Sequence, residues 1–243
     1  MKRKEIAAVI EQVGIVPAIR VLSADEAHFA AEAVAGGGIP IVEITMTVPG
    51  AMDVIAHLVK HHPKLIVGAG TVLDVETARQ CADAGAHFLT APGFDCDIVT
   101  FAAEHDMVSM PGALTPTEVV TAWRAGADFV KVFPAVQVGG DGYVRALNRS
   151  LPQVSLIASG GVNQQNAEAF ILAGATAIGV GTQLIPTESI EKRQAKRIHE
   201  LALRFSKFVR EARLRLPPPQ RSYCQRQPHF CCQVRKAVSF DAA

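Results

Sequence analysis

The sequence predicts an α/β protein built as one (β/α)8 TIM barrel followed by an irregular tail. The first observation is a recurring junction, in which a helix-like segment ends in Gly and passes directly into a β-branched run. The second is that four further apolar runs lie between these junctions. Together these observations give eight short strands that alternate with helices within about 210 residues. Eight is the number of strands in a closed parallel (β/α)8 barrel.

In chain order, the eight predicted strands are short runs bounded by Gly, Pro or polar residues. They are GIVPAIRV, GIPIVEIT, KLIVGAGT, AHFLTAP, DMVSMPGA, DFVKVFPA, VSLIASGG and ATAIGVGT. The second, fourth, sixth and eighth strands follow helix-like segments that end in Gly. Glycine suits the left-handed position after a last helical turn, so each of these strands is expected to start directly after a helix.

The helices after the odd-numbered strands carry N-terminal signals. Ser23, Asp74 and Asn163 are of residue types that cap helix N-termini. Thr115 is followed by Pro116, which suits the first helical position. These signals predict that a helix starts shortly after the first, third, fifth and seventh strands.

A doubly wound open sheet is the alternative arrangement of alternating strands and helices. Its first strand normally leads into a GxGxxG turn, and GIVPAIRVLS has none. The barrel is therefore expected over residues 1–213. From RLPPPQ onward the periodicity ends, so residues 214–243 are predicted to form an irregular, disordered tail.

The composition argues against several classes of function. Of 243 residues, 49% are hydrophobic and 19% charged, and the formal net charge is +1. This balance lacks the basic excess typical of proteins that bind nucleic acid or an acidic membrane surface. No apolar run approaches membrane-spanning length, and MKRKEIAAVIEQVG does not read as a signal peptide, so a cytoplasmic protein is expected.

The cysteines do not indicate a disulfide framework. Cys81 and Cys96 are isolated in the body of the chain. The other three lie in the last twenty residues: Cys224, Cys231 and Cys232. Together with His229 these three cysteines could suggest a zinc site. However, the sequence has neither a C-x2-C pair nor a second pair of ligands at the spacing of a zinc finger. No metal and no cofactor are expected.

Two charged residues stand out in the middle of predicted strands that a barrel covers on both faces. Lys131 interrupts the apolar run DFVKVFPA of the sixth strand, and Glu43 lies in IVEIT of the second. Unpaired charges in such places are costly. Strands two and six face each other across an eight-stranded ring and share parity, so their inward side chains enter one interior layer. We expect Lys131 and Glu43 to meet there, near the carboxyl ends of the strands.

A lysine beside a carboxylate in a dry pocket suits imine chemistry. A neutral amine attacks a ketone, and the carboxylate moves the protons that each step requires. Apolar neighbours such as Phe129 and Val132 disfavour the charged ammonium. The alternative is a buried ion pair without chemistry, or a Lys131 that reaches out to the rim.

Two glycine-containing loops follow strands seven and eight, where barrels commonly bind phosphate at helix N-termini. The loops are ASGGVN and GVGTQL, and the residues expected to line the phosphate seat are Ser159, Gly160, Gly161, Gly181 and Thr182. Glycines also occur in ordinary turns. Two such loops at these two positions favour a phosphate group on the substrate.

Three further strand ends carry candidate binding residues. Arg20, at the end of strand one, offers a fixed cation for a carboxylate or phosphate, or else forms a rim salt bridge. Thr71, in the GAGT that ends strand three, has a hydroxyl that can bond a carboxylate. Pro92, in the TAPGF that ends strand four, is expected to shape the cleft.

These motifs together resemble one enzyme family. Taken in order, VPAIR, VEIT, VGAGTVL, FLTAPGF, MPGALTPTE, FVKVFPA, ASGGV and IGVGTQLIP resemble the 2-keto-3-deoxy-6-phosphogluconate (KDPG) and 4-hydroxy-2-oxoglutarate (KHG) aldolases. The resemblance covers residues 5–210 and is most specific in KxFPA with the strand-two glutamate. It implies a metal-free class I aldolase of the Entner-Doudoroff route, commonly a homotrimer. Such an enzyme cleaves the 2-keto acid phosphate KDPG to pyruvate and glyceraldehyde 3-phosphate, and in some members KHG to pyruvate and glyoxylate.

The resemblance also implies individual roles. Lys131 matches the Schiff-base lysine, and Glu43 matches the acid/base glutamate. Thr71 and Pro92 match residues of the family's pyruvate pocket, and Phe133 matches a residue that packs beside the imine. The residues that match the family's phosphate-binding site are Ser159, Gly160, Gly161 and Thr182.

One position departs from the family pattern. Many members have an arginine four residues after the glutamate that contacts the substrate, whereas EITMTVP places Thr47 there. Arg20 is expected to compensate. The departure leaves the substrate open among KDPG, its galactonate epimer, KHG and oxaloacetate. Two other functions remain as alternatives at this point. One is a phosphosugar epimerase or isomerase with Glu43 as base, and the other is a non-catalytic sugar-phosphate binding barrel.

Overall fold

The computed structural model describes residues 1–216, and these residues contain nine β-segments that all pair in parallel. They are β1 (Ile15–Ile19), β2 (Ile41–Thr45), β3 (Ile66–Gly70), β4 (Phe88–Thr90), β5 (Val108–Met110), β6 (Gly112–Ala113), β7 (Val130–Val132), β8 (Leu156–Ser159) and β9 (Ala177–Val180). Seven of the predicted strands correspond to one segment each. The fifth predicted strand corresponds to β5 and β6 together.

The sheet closes on itself through this divided fifth strand. Its order is β5-β4-β3-β2-β1-β9-β8-β7-β6, so β5 pairs with β4 while β6 pairs with β7. Pro111 separates β5 from β6 because it has no N–H to donate to a ladder. Its carbonyl still accepts the Lys131 N–H at 2.9 Å, and the Met110 carbonyl accepts the Ala91 N–H on the other side. The predicted (β/α)8 barrel is confirmed.

The helices lie between and after the strands. They are α1 (Arg3–Val13), α2 (Ala24–Gly36), α3 (Ala51–His61), α4 (Val75–Asp83), α5 (Cys96–Glu104), α6 (Pro116–Arg124), α7 (Gly140–Ser150), α8 (Ala167–Leu172), α9 (Thr187–Glu191) and α10 (Ala195–Leu214). The connection from each strand of the ring to the next contains one of α2 to α8, and α9 and α10 follow β9. Within residues 1–216, no helix combines the length and apolarity needed to cross a bilayer.

Three of the four predicted N-caps are confirmed by hydrogen bonds. The side chains of Ser23, Asp74 and Thr115 each accept from the backbone N–H three residues later. Asn163 Oδ1 also accepts the N–H three residues later, from Asn166, and its carbonyl accepts the Ala167 N–H. The residues between form a turn and the regular helix α8 begins at Ala167, so Asn163 caps this turn and does not directly precede α8.

The amino end of the barrel is covered by α1, which contacts β5 and β9. Ile6 and Ile10 of this helix are buried. Arg3 donates two hydrogen bonds to the Asp128 carboxylate, at 3.0 and 2.9 Å. Asp128 also accepts the Ser109 N–H at 2.9 Å, which ties α1 to two strands of the ring. The carboxyl ends of the strands therefore form the open face of the barrel, where a site is expected.

The predicted boundary between barrel and tail, at residues 213 and 214, falls at the end of α10, the last helix within residues 1–216. Helix α10 continues to Leu214. Most of the predicted tail, residues 217–243, lies outside the described residues, and so do Cys224, Cys231 and Cys232. The division into barrel and tail stays a prediction.

Candidate active site

Two charged side chains meet inside the barrel. Glu43 is the middle residue of β2, and Lys131 is the middle residue of β7. These two strands lie opposite each other in the ring. Lys131 Nζ lies 3.8 Å from Glu43 Oε2, and the two side chains are 12% and 5% exposed. The structure thus brings Lys131 and Glu43 together in one interior layer, as predicted from the positions of their strands in the ring.

The Glu43 carboxylate occupies space that a glycine on the neighbouring strand leaves open. A Cβ at Gly70, the last residue of β3, would lie 2.1 Å from Glu43 Oε1 and 2.6 Å from its Cδ. Both distances are far below van der Waals contact. Any side chain at position 70 is therefore incompatible with the observed position of the carboxylate.

Lys131 Nζ has two further neighbours. It donates a hydrogen bond to Thr90 Oγ1 at 3.5 Å and lies 5.6 Å from the centroid of the Phe133 ring. Thr90 is the last residue of β4 and is 2% exposed. Thr90 belongs to none of the candidate sites that the sequence predicts. The available signal was a polar residue at the end of an even-numbered strand, but threonine is common in strands in any case.

A cavity of about 300 Å³ opens at the carboxyl ends of the strands, a size suited to a small molecule. Nine of the predicted site residues line it: Arg20, Glu43, Lys131, Phe133, Ser159, Gly160, Gly161, Gly181 and Thr182. Its other lining residues were not predicted: Ala18, Val162, Asn163, Gly179, Gln183 and Ile185. One cavity therefore joins the lysine and glutamate to both glycine-containing loops.

The loop after β8 has a backbone that few residues other than glycine adopt. Gly160 and Gly161 have φ values of +88° and +81°. A Cβ at Gly160 would lie 2.8 Å from Pro134 Cα, so the loop also packs closely on the segment after β7. Within residues 1–216, the backbone N–H groups of Gly160, Gly161 and Thr182 have no protein acceptor. Unpaired N–H groups in adjoining loops are typical of an anion-binding concavity.

Arg20 provides a cation at the rim of the same cavity. It directly follows β1 and its side chain is exposed. It forms no ion pair with a carboxylate of residues 1–216, so the rim salt bridge considered as its alternative role is not seen there. Its guanidinium is free to meet an anionic group of a ligand.

Three predicted binding residues do not line the cavity. Thr47 is exposed, and its hydroxyl lies 2.8 Å from Thr45 Oγ1. Thr71 follows β3 with a φ of +62°. Pro92 is exposed, and its carbonyl lies against Gly112. Thr47, Thr71 and Pro92 all lie just beyond strand ends, where loop geometry rather than strand parity sets the direction of a side chain.

The thiol of Cys81 is buried and does not line this cavity. Burial raises the pKa of the Cys81 thiol to about 12, which keeps it protonated at neutral pH. Its Sγ packs 3.6 Å from Met46 Sδ and 3.9 Å from Met52 Sδ. Among residues 1–216, no three His, Cys, Asp or Glu side chains are arranged to hold a metal ion.

A closed parallel barrel with a buried lysine and glutamate near the carboxyl ends of its strands, and with two glycine-containing loops lining the same cavity, has the architecture of a barrel enzyme. Comparison with known proteins identifies the family. The family model described as "KDPG and KHG aldolase" matches residues 6–201. The chain belongs to the KDPG and KHG aldolase family and is a lyase, as its motifs predict.

Several relatives and solved structures are similar over most of the chain. The 2-dehydro-3-deoxy-phosphogluconate aldolase of Treponema pallidum is 32% identical over 181 residues, which are 74% of this chain and 86% of the relative. The 2-dehydro-3-deoxy-6-phosphogalactonate aldolase of Escherichia coli is 32% identical over 200 residues, or 82% and 95%. A crystal structure of the KDPG aldolase from Legionella pneumophila, with pyruvate captured as a covalent carbinolamine, has a TM-score of 0.76 at 28% identity. That similarity covers 82% of this chain and 96% of the Legionella chain.

Proposed function

We propose that this chain is a class I aldolase that cleaves KDPG to pyruvate and glyceraldehyde 3-phosphate through an imine on Lys131. The observation that carries the proposal is the 3.8 Å separation between Lys131 Nζ and Glu43 Oε2 in a cavity that also contains both glycine-containing loops. The covalent pyruvate adduct of the Legionella aldolase supports the same chemistry here. KHG, which would yield pyruvate and glyoxylate, is proposed as a second substrate.

Imine formation uses both charged residues. The lone pair of neutral Lys131 Nζ attacks C2 of the substrate, and the carbonyl electrons move to oxygen. Glu43, directly or through one water, moves one proton from the nitrogen to this oxygen to make a hydroxyl. A second proton, taken up from solvent and passed on by Glu43, lets the hydroxyl leave as water. The carbinolamine thereby loses water and becomes an iminium.

Cleavage then uses the iminium as an electron acceptor. Glu43 takes the proton of the C4 hydroxyl, the C3–C4 bond breaks, and its electron pair moves into the iminium to give an enamine. The new carbonyl at C4 leaves as the aldehyde. Protonation of the enamine at C3 and hydrolysis of the resulting iminium release pyruvate and restore the free lysine.

The remaining lining residues suit the two anionic ends of such a substrate. The free N–H groups of Gly160, Gly161 and Thr182 support phosphate binding at the glycine-containing loops, where Ser159 and Gly181 also line the cavity. Arg20, free of any ion pair within residues 1–216, would hold a carboxylate or phosphate in place of the family arginine that Thr47 replaces. Thr71 and Pro92 have no assigned contact in this scheme because they do not line the cavity.

The assembly and location follow the family resemblance. We propose a cytoplasmic homotrimer that serves the Entner-Doudoroff route. A solution mass of about three times the 25.9 kDa chain, measured by light scattering, is the expected result for the trimer.

Pyruvate release tests the proposed function. KDPG, its galactonate epimer and KHG are supplied separately, and pyruvate is followed by its reduction with lactate dehydrogenase. Lys131→Ala should lose nearly all activity, because it removes the nucleophile. Glu43→Gln should slow turnover by about 100-fold or more, because the proton transfers lose their catalyst. Lys60→Ala, a change at an exposed lysine of α3, is the matched control and should behave as wild type. Near-normal turnover by Lys131→Ala would falsify the proposal.

A further inference from the structure

We propose that Thr90 is a positioning residue for Lys131: its hydroxyl holds one N–H of the amine, so that the nitrogen lone pair points into the cavity. This inference rests on the proposed imine mechanism. None of the sequence motifs assigns Thr90 a role. The contact between Lys131 Nζ and Thr90 Oγ1, at 3.5 Å, is the observation that motivates the proposal.

The Thr90 hydroxyl is held in place by its surroundings. Thr90 ends β4, pairs with Met110 of β5, and accepts the Val72 N–H at its carbonyl at 3.1 Å. The backbone of Thr90 is therefore bonded on both sides. Its side chain is β-branched, which restricts rotation about χ1, and the residue is 2% exposed. The oxygen thus offers Lys131 a fixed acceptor, whereas the lysine side chain is long and has many rotamers.

The stereochemistry of a neutral amine explains why a fixed acceptor matters. The nitrogen of Lys131 carries Cε, two hydrogens and one lone pair in tetrahedral directions. Thr90 Oγ1 accepts one hydrogen, and the Glu43 carboxylate, with Oε2 at 3.8 Å, attracts the other. The lone pair then takes the remaining direction. Thr90 is buried and does not line the cavity, and under this proposal the direction left to the lone pair is the one that opens on the cavity.

The same position separates Thr90 from substrate binding. Lys131 lines the cavity and Thr90 does not, so the contact with the lysine is the route proposed here from Thr90 to the substrate. Loss of the hydroxyl should therefore slow the attack of the amine on the ketone while leaving substrate affinity nearly unchanged. A purely structural role in packing β4 would instead lower thermal stability and would not depend on the hydroxyl.

The experiment measures the rate of imine formation with pyruvate in single-turnover mixtures quenched by borohydride, followed by intact mass. Thr90→Val keeps the shape and removes the hydroxyl, and it should slow imine formation about tenfold with a nearly unchanged KM for KDPG cleavage. Thr90→Ser restores the hydroxyl and should recover the rate to within about threefold of wild type. Thr121→Val, on the outer helix α6, is the matched control for the substitution and should leave the rate unchanged.

The outcomes separate this inference from the proposed function. If wild type forms the adduct and folded Thr90→Val forms it equally fast, the role of Thr90 is wrong and the aldolase proposal stands. If wild type forms no adduct, the imine mechanism is wrong and the role of Thr90 falls with it. If Thr90→Val does not fold, Thr90→Ala takes its place. Equal slowing in Thr90→Ser and Thr90→Val would also overturn the inference, because the hydroxyl would then not be the feature that matters.

Discussion

Replacing Gly70 with alanine should disable catalysis through Glu43 without touching either charged residue. The added Cβ would lie 2.1 Å from Glu43 Oε1, and ordinary contact requires more than about 3 Å, so the carboxylate must move by about 1 Å or more. The Glu43 side chain is 5% exposed and lines the cavity, so the displaced carboxylate would move into the substrate space and away from its observed position beside Lys131. A misplacement of this size can cost about 100-fold in rate. Overpacking should also lower the free energy of unfolding by about 1–3 kcal/mol.

The assay is the turnover of KDPG by Gly70→Ala, with circular dichroism and thermal unfolding as checks on the fold. Gly142→Ala is the matched control, because a Cβ there meets nothing within 4 Å, and its turnover should equal that of wild type. The expected result is a folded Gly70→Ala protein with a turnover reduced about 100-fold. A folded Gly70→Ala protein with wild-type turnover would refute the reasoning, since Glu43 would then not need its observed position.

Three further predictions concern the loops, the pH response and the tail. Gly161→Ala places a Cβ 2.7 Å from Val136 Cβ, at a backbone φ of +81°, and should therefore distort the loop that is proposed to bind phosphate. It should raise the KM for KDPG but hardly the KM for KHG, because KHG has no phosphate. An equal rise in both KM values would contradict phosphate binding by this loop. Burial lowers the pKa of His87 from 6.5, so the unfolded chain binds the proton more readily, and stability should be complete above about pH 6.5 and decline below it. His87→Asn, which can still accept the Val67 N–H, should flatten the fall in Tm between about pH 7.5 and about pH 5; an unchanged fall would show that another group titrates. Truncation after Leu216 should leave turnover intact, and loss of activity would show that residues 217–243 contribute to the enzyme.

Strand parity predicted the centre of the candidate site well. Lys131 and Glu43 stand in apolar strands on opposite sides of a ring of known strand number, and these facts alone determine that their inward side chains share a layer. The glycine-containing loops were also predictable in position, because they follow strands seven and eight. Nine predicted residues line one cavity as a result.

Side chains in the loops beyond strand ends were predictable only in part. Arg20 and Phe133 directly follow β1 and β7 and line the cavity, whereas Thr47 and Pro92, each two residues past a strand, do not. No periodicity fixes the direction of a side chain in such loops. Asn163 has the right residue type for a cap, but its own turn delays the start of α8. Thr90 was missed for a different reason, since threonine suits any strand and only the three-dimensional register shows that its hydroxyl meets Lys131.

Trapping the covalent intermediate decides whether Lys131 is the nucleophile. The full-length protein is incubated with pyruvate and borohydride in the presence of EDTA, and intact mass measurement is followed by peptide mapping. The proposed mechanism predicts one reduced pyruvate adduct per chain, located on Lys131, and no adduct in Lys131→Ala. Folded wild-type protein that gains no adduct, or gains it at another lysine, would contradict the mechanism.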